Sequence, residues 1–95
     1  MDRKTASWMK REDERILEYL EEEEWAEPKM ISRNAFTKVS TAHVCERLEM
    51  LRYAGLVDTM GLASYELTGD GHRYLDGELD AENLPRPTVD RVLRK

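Results

Sequence analysis

Apolar residues recur along this chain at helical spacing in two stretches and alternate at strand spacing in one. Ile16, Leu17 and Leu20 form the first helical stripe, and Val44, Leu48 and Leu51, at i, i+4 and i+7, form the second. The first stripe predicts a helix over Lys10–Glu24, with Glu12, Asp13 and Glu14 at the end where the helix dipole favours anions. Pro28 suits the first position of a short second helix over Lys29–Asn34, because its missing N–H is not needed there, and Ile31 then points inward. Ala35–Val39 makes a turn. The second stripe predicts a third helix from Thr41, with Ser40 or Thr41 capping its start and Gly55 just past its end, where a positive φ is wanted. Leu56–Thr59 reads as a strand, Met60–Ala63 as a turn and Ser64–Leu67 as the return strand. Thr68 is then an N-cap for a fourth helix over Gly69–Leu79, burying Tyr74, Leu75 and Leu79. Glycines at 69, 71 and 77 make that helix weak by itself, so packing must hold it.

Helix, short helix, turn and longer helix is the helix-turn-helix order, and a hairpin follows it. The predicted class is α+β and mostly helical: a three-helix core, a two-stranded hairpin and an additional C-terminal helix. A chain of 95 residues supports one thin core, which we place in a single domain over 8–84. Residues 1–7 are polar and expected to be flexible. Pro85 and Pro87 release a tail over 85–95, in which Val89, Val92 and Leu93 have helical spacing and Thr88 can cap them. Trp25 either folds onto the core or forms a dimer contact, and the core is favoured.

Charge changes the picture more than composition does. The net charge of −5 alone argues against a nucleic-acid partner. From Lys29 to Gly55, however, five cations face two acids, whereas Lys10–Pro28 holds three cations and nine acids. Basic character is therefore concentrated in the second and third helices. The acid run Glu21–Glu24 reads first as a solvated surface and second as a partner-binding patch. The excess of acid and the preference for Arg over Lys resemble proteins of salt-loving archaea. At molar salt the Debye length is about 3 Å, so a net negative charge opposes phosphate binding less. No apolar run approaches the ~20 residues of a membrane span, no signal-peptide pattern opens the chain, and Cys45 stands alone. These point to a cytoplasmic protein with no membrane partner.

Several strings together carry a family resemblance. They are Trp8-Met9; Asp13-x-x-Ile16-Leu17-x-x-Leu20; Val44-x-x-Arg47-Leu48-x-x-Leu51 with Gly55-Leu56-Val57; and Tyr65-x-Leu67-Thr68-x-x-Gly71-x-x-Tyr74-Leu75-x-Gly77-x-Leu79-Asp80. Over Trp8–Leu84 the chain resembles the small haloarchaeal winged helix-turn-helix regulators of the phage φH repressor-like family. The resemblance implies a winged-helix fold whose hairpin is the wing. It also implies sequence-specific binding of double-stranded DNA by a transcription regulator, usually a homodimer on a two-fold site. Two features depart from the usual pattern. The wing, Asp58–Tyr65, contains no Lys or Arg, and Glu46 and Glu49 lie on or near the groove-facing side of the third helix.

With that helix in the major groove, Thr41, Ala42, His43, Cys45 and Glu46 lie off the buried stripe and near its N-terminus, within reach of bases. Thr41 can bond a base edge or phosphate, Ala42 can touch a thymine methyl, His43 can do either, and Glu46 can accept from cytosine N4. Arg33 and Lys38 flank the turn and are expected to grip phosphate without reading sequence. Arg47 has two readings, a phosphate contact or a brace for an acid on a neighbouring helix. Cys45 reads as a passive small side chain ahead of a redox switch. His43 and Cys45, at i and i+2, do not form a metal pair. His72 has no Cys or His at ligand spacing. No phosphate loop or nucleophile motif appears, so no enzyme activity, metal or cofactor is expected. The expected function is a repressor acting by operator occupancy through helix 41–54. The rival is a winged helix serving protein–protein interaction without DNA, which the cation-free wing favours. A small-molecule sensor, with a pocket between the fourth helix and the wing, has no polar cluster to support it.

Overall fold

The computed structural model describes residues 2–93. Helix α1 (Arg11–Glu23) begins where the Asp13 carboxylate accepts the backbone N–H of Lys10 at 3.0 Å, so an otherwise orphaned donor is satisfied. It ends at Glu24, whose φ of +70° turns the chain sharply. The turn delivers Trp25–Ala26 as a short strand, β1. Helix α2 (Pro28–Ala35) starts on the proline, as the sequence predicts, and buries Ile31. Helix α3 (Thr41–Ala54) follows a turn pinned by the Ser32 hydroxyl, which donates to the Val39 carbonyl at 2.6 Å. The hairpin β2 (Val57–Met60) and β3 (Ser64–Leu67) comes next, then α4 (Gly69–Leu75), a 3-10 turn at Ala81–Asn83, and α5 (Val89–Val92).

Four expectations need correction. The sheet has three strands, not two, in the order β1-β3-β2, with Trp25 opposite Glu66 and Ala26 opposite Tyr65. A two-residue strand carries no readable alternation, so the pattern could not announce it. Trp25 does not reach the core; it stays 44% exposed while Ala26 beside it is fully buried. Successive side chains of a strand point to opposite faces, and the smaller residue took the inner one. Helix α4 stops at Leu75 rather than Leu79, because Gly77 adopts φ +77° and the Glu78 N–H turns back to the Arg73 carbonyl at 2.8 Å. Finally, residues 2–7 are docked rather than flexible. Arg3 donates to Glu18 at 2.6 Å and to the Leu75 carbonyl at 3.1 Å, Ala6 is buried, and the Lys4 backbone forms an isolated parallel β-bridge with that of Asp80.

The core gathers Ile16, Leu17, Leu20, Ile31, Val44, Leu48, Leu51, Leu56, Val57, Leu67, Tyr74 and Leu75 between the three helices and the inner face of the sheet. Trp8, Met9 and Leu79 pack at its edge. Thr68 ties the sheet and α4 to the end of α3. Its hydroxyl accepts from the Gly71 N–H at 3.0 Å and donates to the Gly55 carbonyl at 2.7 Å. No helix among the described residues is long and apolar enough to cross a membrane.

Gly71 separates propensity from packing. Alanine is the better helix former by about 1 kcal/mol. A Cβ at this position, however, would run into the Leu56 carbonyl oxygen and the Leu67 side chain. We expect Gly71→Ala to destabilise the fold by about 1–3 kcal/mol in urea unfolding, against the propensity trend.

Candidate nucleic-acid interface

Helix α3 is fixed at both ends by the residues its sequence offers. The Ser40 hydroxyl accepts the His43 N–H at 3.1 Å, and Gly55 takes φ +91° while the Leu56 N–H returns to the Leu51 carbonyl at 3.0 Å. Val44, Leu48 and Leu51 are fully buried, so the predicted stripe does face inward. At 3.6 residues per turn, the side opposite them carries Ala42, Cys45, Glu46, Glu49 and Tyr53. Thr41, Ala42 and Glu46 are exposed, and His43 and Cys45 are half-buried.

Arg47 resolves into the second of its two readings. Its Nε donates to Asp13 Oδ1 at 2.8 Å and its Nη2 to Asp13 Oδ2 at 2.7 Å, with a longer bond from Nη2 to the Trp8 carbonyl at 3.3 Å. Asp13 is 0% and Arg47 5% exposed. Arg47 is thus corrected from a candidate phosphate contact to the brace that joins α3 to α1. Both residues lie in phase with an apolar stripe: Asp13 with Ile16, Leu17 and Leu20, and Arg47 with Val44, Leu48 and Leu51. Opposite charges on two facing core stripes are the signal that could have found the pair.

His43 lies on the same seam, one turn earlier. Its Nε2 is 2.7 Å from Glu12 Oε2, and about a third of its side chain remains exposed. The hydrogen bond from His43, followed by one from the backbone, holds the Glu12 carboxyl below its ordinary value of 4.5. Glu49 is engaged as well, accepting from the Tyr65 hydroxyl at 2.7 Å with Arg52 Nη1 at 3.6 Å. Its charge is therefore held against the sheet, a role the sequence did not reveal. Burial, and then Glu49, push the Cys45 thiol up, away from the thiolate that redox chemistry uses.

Arg33 on α2 and Lys38 in the turn are exposed and form no ion pair among the described residues. The wing tip presents Leu62, fully exposed, and Met60. Thr88 caps α5 by accepting the Arg91 N–H at 3.1 Å. Helix α5 lies beside the C-terminal half of α3, where Glu49, Arg52, Tyr53, Arg91 and Val92 line a hollow of about 390 Å³. The N-terminal half of α3, residues 41–46, is left open on its outer side.

A helix-turn-helix with an open recognition helix, followed by a hairpin, defines a winged helix-turn-helix domain, the scaffold of a DNA-binding protein. The chain belongs to the winged helix-turn-helix phage repressor family, whose model matches residues 1–87. Among solved structures it is similar to the PhiH1 repressor-like protein from Haloarcula marismortui, at 32% sequence identity and a TM-score of 0.84. That similarity covers 92% of this chain and 99% of the other. No curated protein matches it. Fold and family are those of a DNA-binding transcription regulator and not of an enzyme class.

The buried pair gives a stability test. Arg47→Met leaves the Asp13 carboxylate without its partner and should cost about 3–5 kcal/mol. Adding Asp13→Leu removes the stranded charge and should restore most of that loss in the same denaturant titration. A single variant as stable as wild type would show that the pair carries no such strain.

Proposed function

We propose that the protein is a sequence-specific repressor that acts by occupying an operator, with the outer face of residues 41–46 in the major groove. The observation that carries this reading is the open first half of α3 beside Arg33 and Lys38, two exposed cations with no acid partner among the described residues. In a chain with 20 acids and 15 Lys and Arg, cations left unpaired are available to phosphate. Thr41, Ala42, Cys45 and Glu46 meet base edges, and His43 reaches the groove edge from its seat on Glu12. A domain this small offers little surface for recruiting polymerase, which favours repression over activation. A haloarchaeal setting fits the acidic surface, and the Haloarcula neighbour supports it.

Operators with two-fold symmetry call for a dimer. Val89 and Leu93, exposed at the chain's end, with Tyr53 exposed on α3, are the apolar residues we assign to that contact. Light scattering in high salt should give twice the 11.1 kDa chain mass at tens of micromolar. A monomer there removes the dimer.

DNA binding is tested on duplexes the protein retains from sheared genomic DNA, with its own upstream region as the first candidate. Lys38→Glu should weaken all sequences alike and lower the salt slope by about 1. Thr41→Val should instead relax preference at one base pair, by about 1–3 kcal/mol. Absence of any complex down to low salt would favour the protein-interaction alternative.

A further inference from the structure

We propose that Lys10 and Arg11 form a second phosphate-binding site, which meets the DNA backbone on the α1 flank of the groove occupied by α3. The inference rests on the DNA-binding reading above and extends its footprint to an element that neither the helix-turn-helix nor the wing contains. Three contacts join this segment to α3: Trp8 through its carbonyl to Arg47 at 3.3 Å, Glu12 to His43 at 2.7 Å, and Asp13 to Arg47 at 2.7 and 2.8 Å. The chain from Trp8 to Asp13 is therefore held alongside the open half of α3. Lys10 and Arg11 lie between those anchor points, and both are exposed.

That neither lies within ion-pair distance of a carboxylate is informative because acid is abundant; Lys10 supplies only the smallest of the attractions that hold the Glu12 carboxyl down. Arg3, Arg15, Arg52, Arg73 and Arg86, all at least partly exposed, each lie within 4.0 Å of a carboxylate. Lys10 and Arg11 form no ion pair among the described residues, although Glu12, Asp13 and Glu14 follow them directly. Two of those acids are already engaged, Glu12 by His43 and Asp13 by Arg47, and Glu14 faces Arg3 and Tyr74. Among the described residues, the other cations without an ion pair are Lys29, Arg33 and Lys38 on α2 and its turn, together with Lys4 and Arg91. Near the open half of α3, free positive charge thus stands on two elements: α2 with its turn, and the first turn of α1. Phosphate contacts from both elements would fix the rotation of the recognition helix in the groove, which contacts from one leave loose.

The test measures binding of the full chain to a retained genomic duplex across titrated salt. In the double variant Lys10→Gln/Arg11→Gln, two lost phosphate contacts should reduce the slope of log K against log salt by about 2, with base preference unchanged. Arg15→Gln, which alters a cation already paired with Glu22, serves as the control and should leave the slope as in wild type. The inference is overturned if the double variant keeps the wild-type slope while Lys38→Gln loses part of it, a result that leaves the DNA-binding reading standing. It is also overturned if Arg15→Gln lowers the slope as much per charge, since net charge alone would then account for the effect. Failure of the wild-type chain to bind any duplex would remove the DNA-binding reading and this inference together.

Discussion

The arrangement depends on one buried ion pair, Asp13 with Arg47, through which α1 holds α3. Removing two charges from water is expensive, and the attraction between them repays it only when geometry and surrounding hydrogen bonds are good. Here both carboxylate oxygens accept from the guanidinium, Oδ2 also takes the Lys10 N–H, and the Trp8 carbonyl takes a further donor. A pair of this kind adds little net stability over well-packed apolar side chains. What it adds is position. Apolar contacts are non-directional, whereas a two-pronged bond between planar groups admits one register and one orientation.

Orientation of the recognition helix follows from that constraint. With Arg47 directed at α1, Val44, Leu48 and Leu51 fill the core and Ala42, Cys45 and Glu46 are turned outward. The other end of the helix is fixed separately, through Gly55 and the Thr68 hydroxyl that links it to α4. Glu49 and Tyr65 join its outer side to the sheet at 2.7 Å. Several acids beside α3 are thus engaged by the protein's own side chains, although the acid run of Glu21–Glu24 stays exposed. Glu12 holds His43, Asp13 holds Arg47, Glu49 holds Tyr65, and Glu46 remains on the open face.

Most helix boundaries could be read from the sequence because local chemistry sets them. Pro28, Ser40, Gly55, Thr68 and Thr88 each satisfy or terminate a backbone at the predicted place. The buried faces of α1 and α3 were equally legible, since their stripes repeat over several turns. Long-range pairing was not. Nothing adjacent to Trp25 says that it will lie opposite Glu66, and nothing in residues 2–7 says that Arg3 will find Glu18 and Leu75. The site divides in the same way. Exposure of Thr41, Ala42, Glu46, Arg33 and Lys38 follows from helix phase and the turn, whereas the engagement of His43 and Arg47 depends on where α1 packs.

The most direct test is a backbone amide NMR titration of the folded chain with a duplex it retains from genomic DNA. If the outer face of α3 reads the groove, the largest shift changes and slowest exchange fall on residues 41–46, with smaller effects at Arg33 and Lys38. Changes confined to Trp25, the Leu62 wing tip or the α5 tail, with residues 41–46 silent, would contradict it.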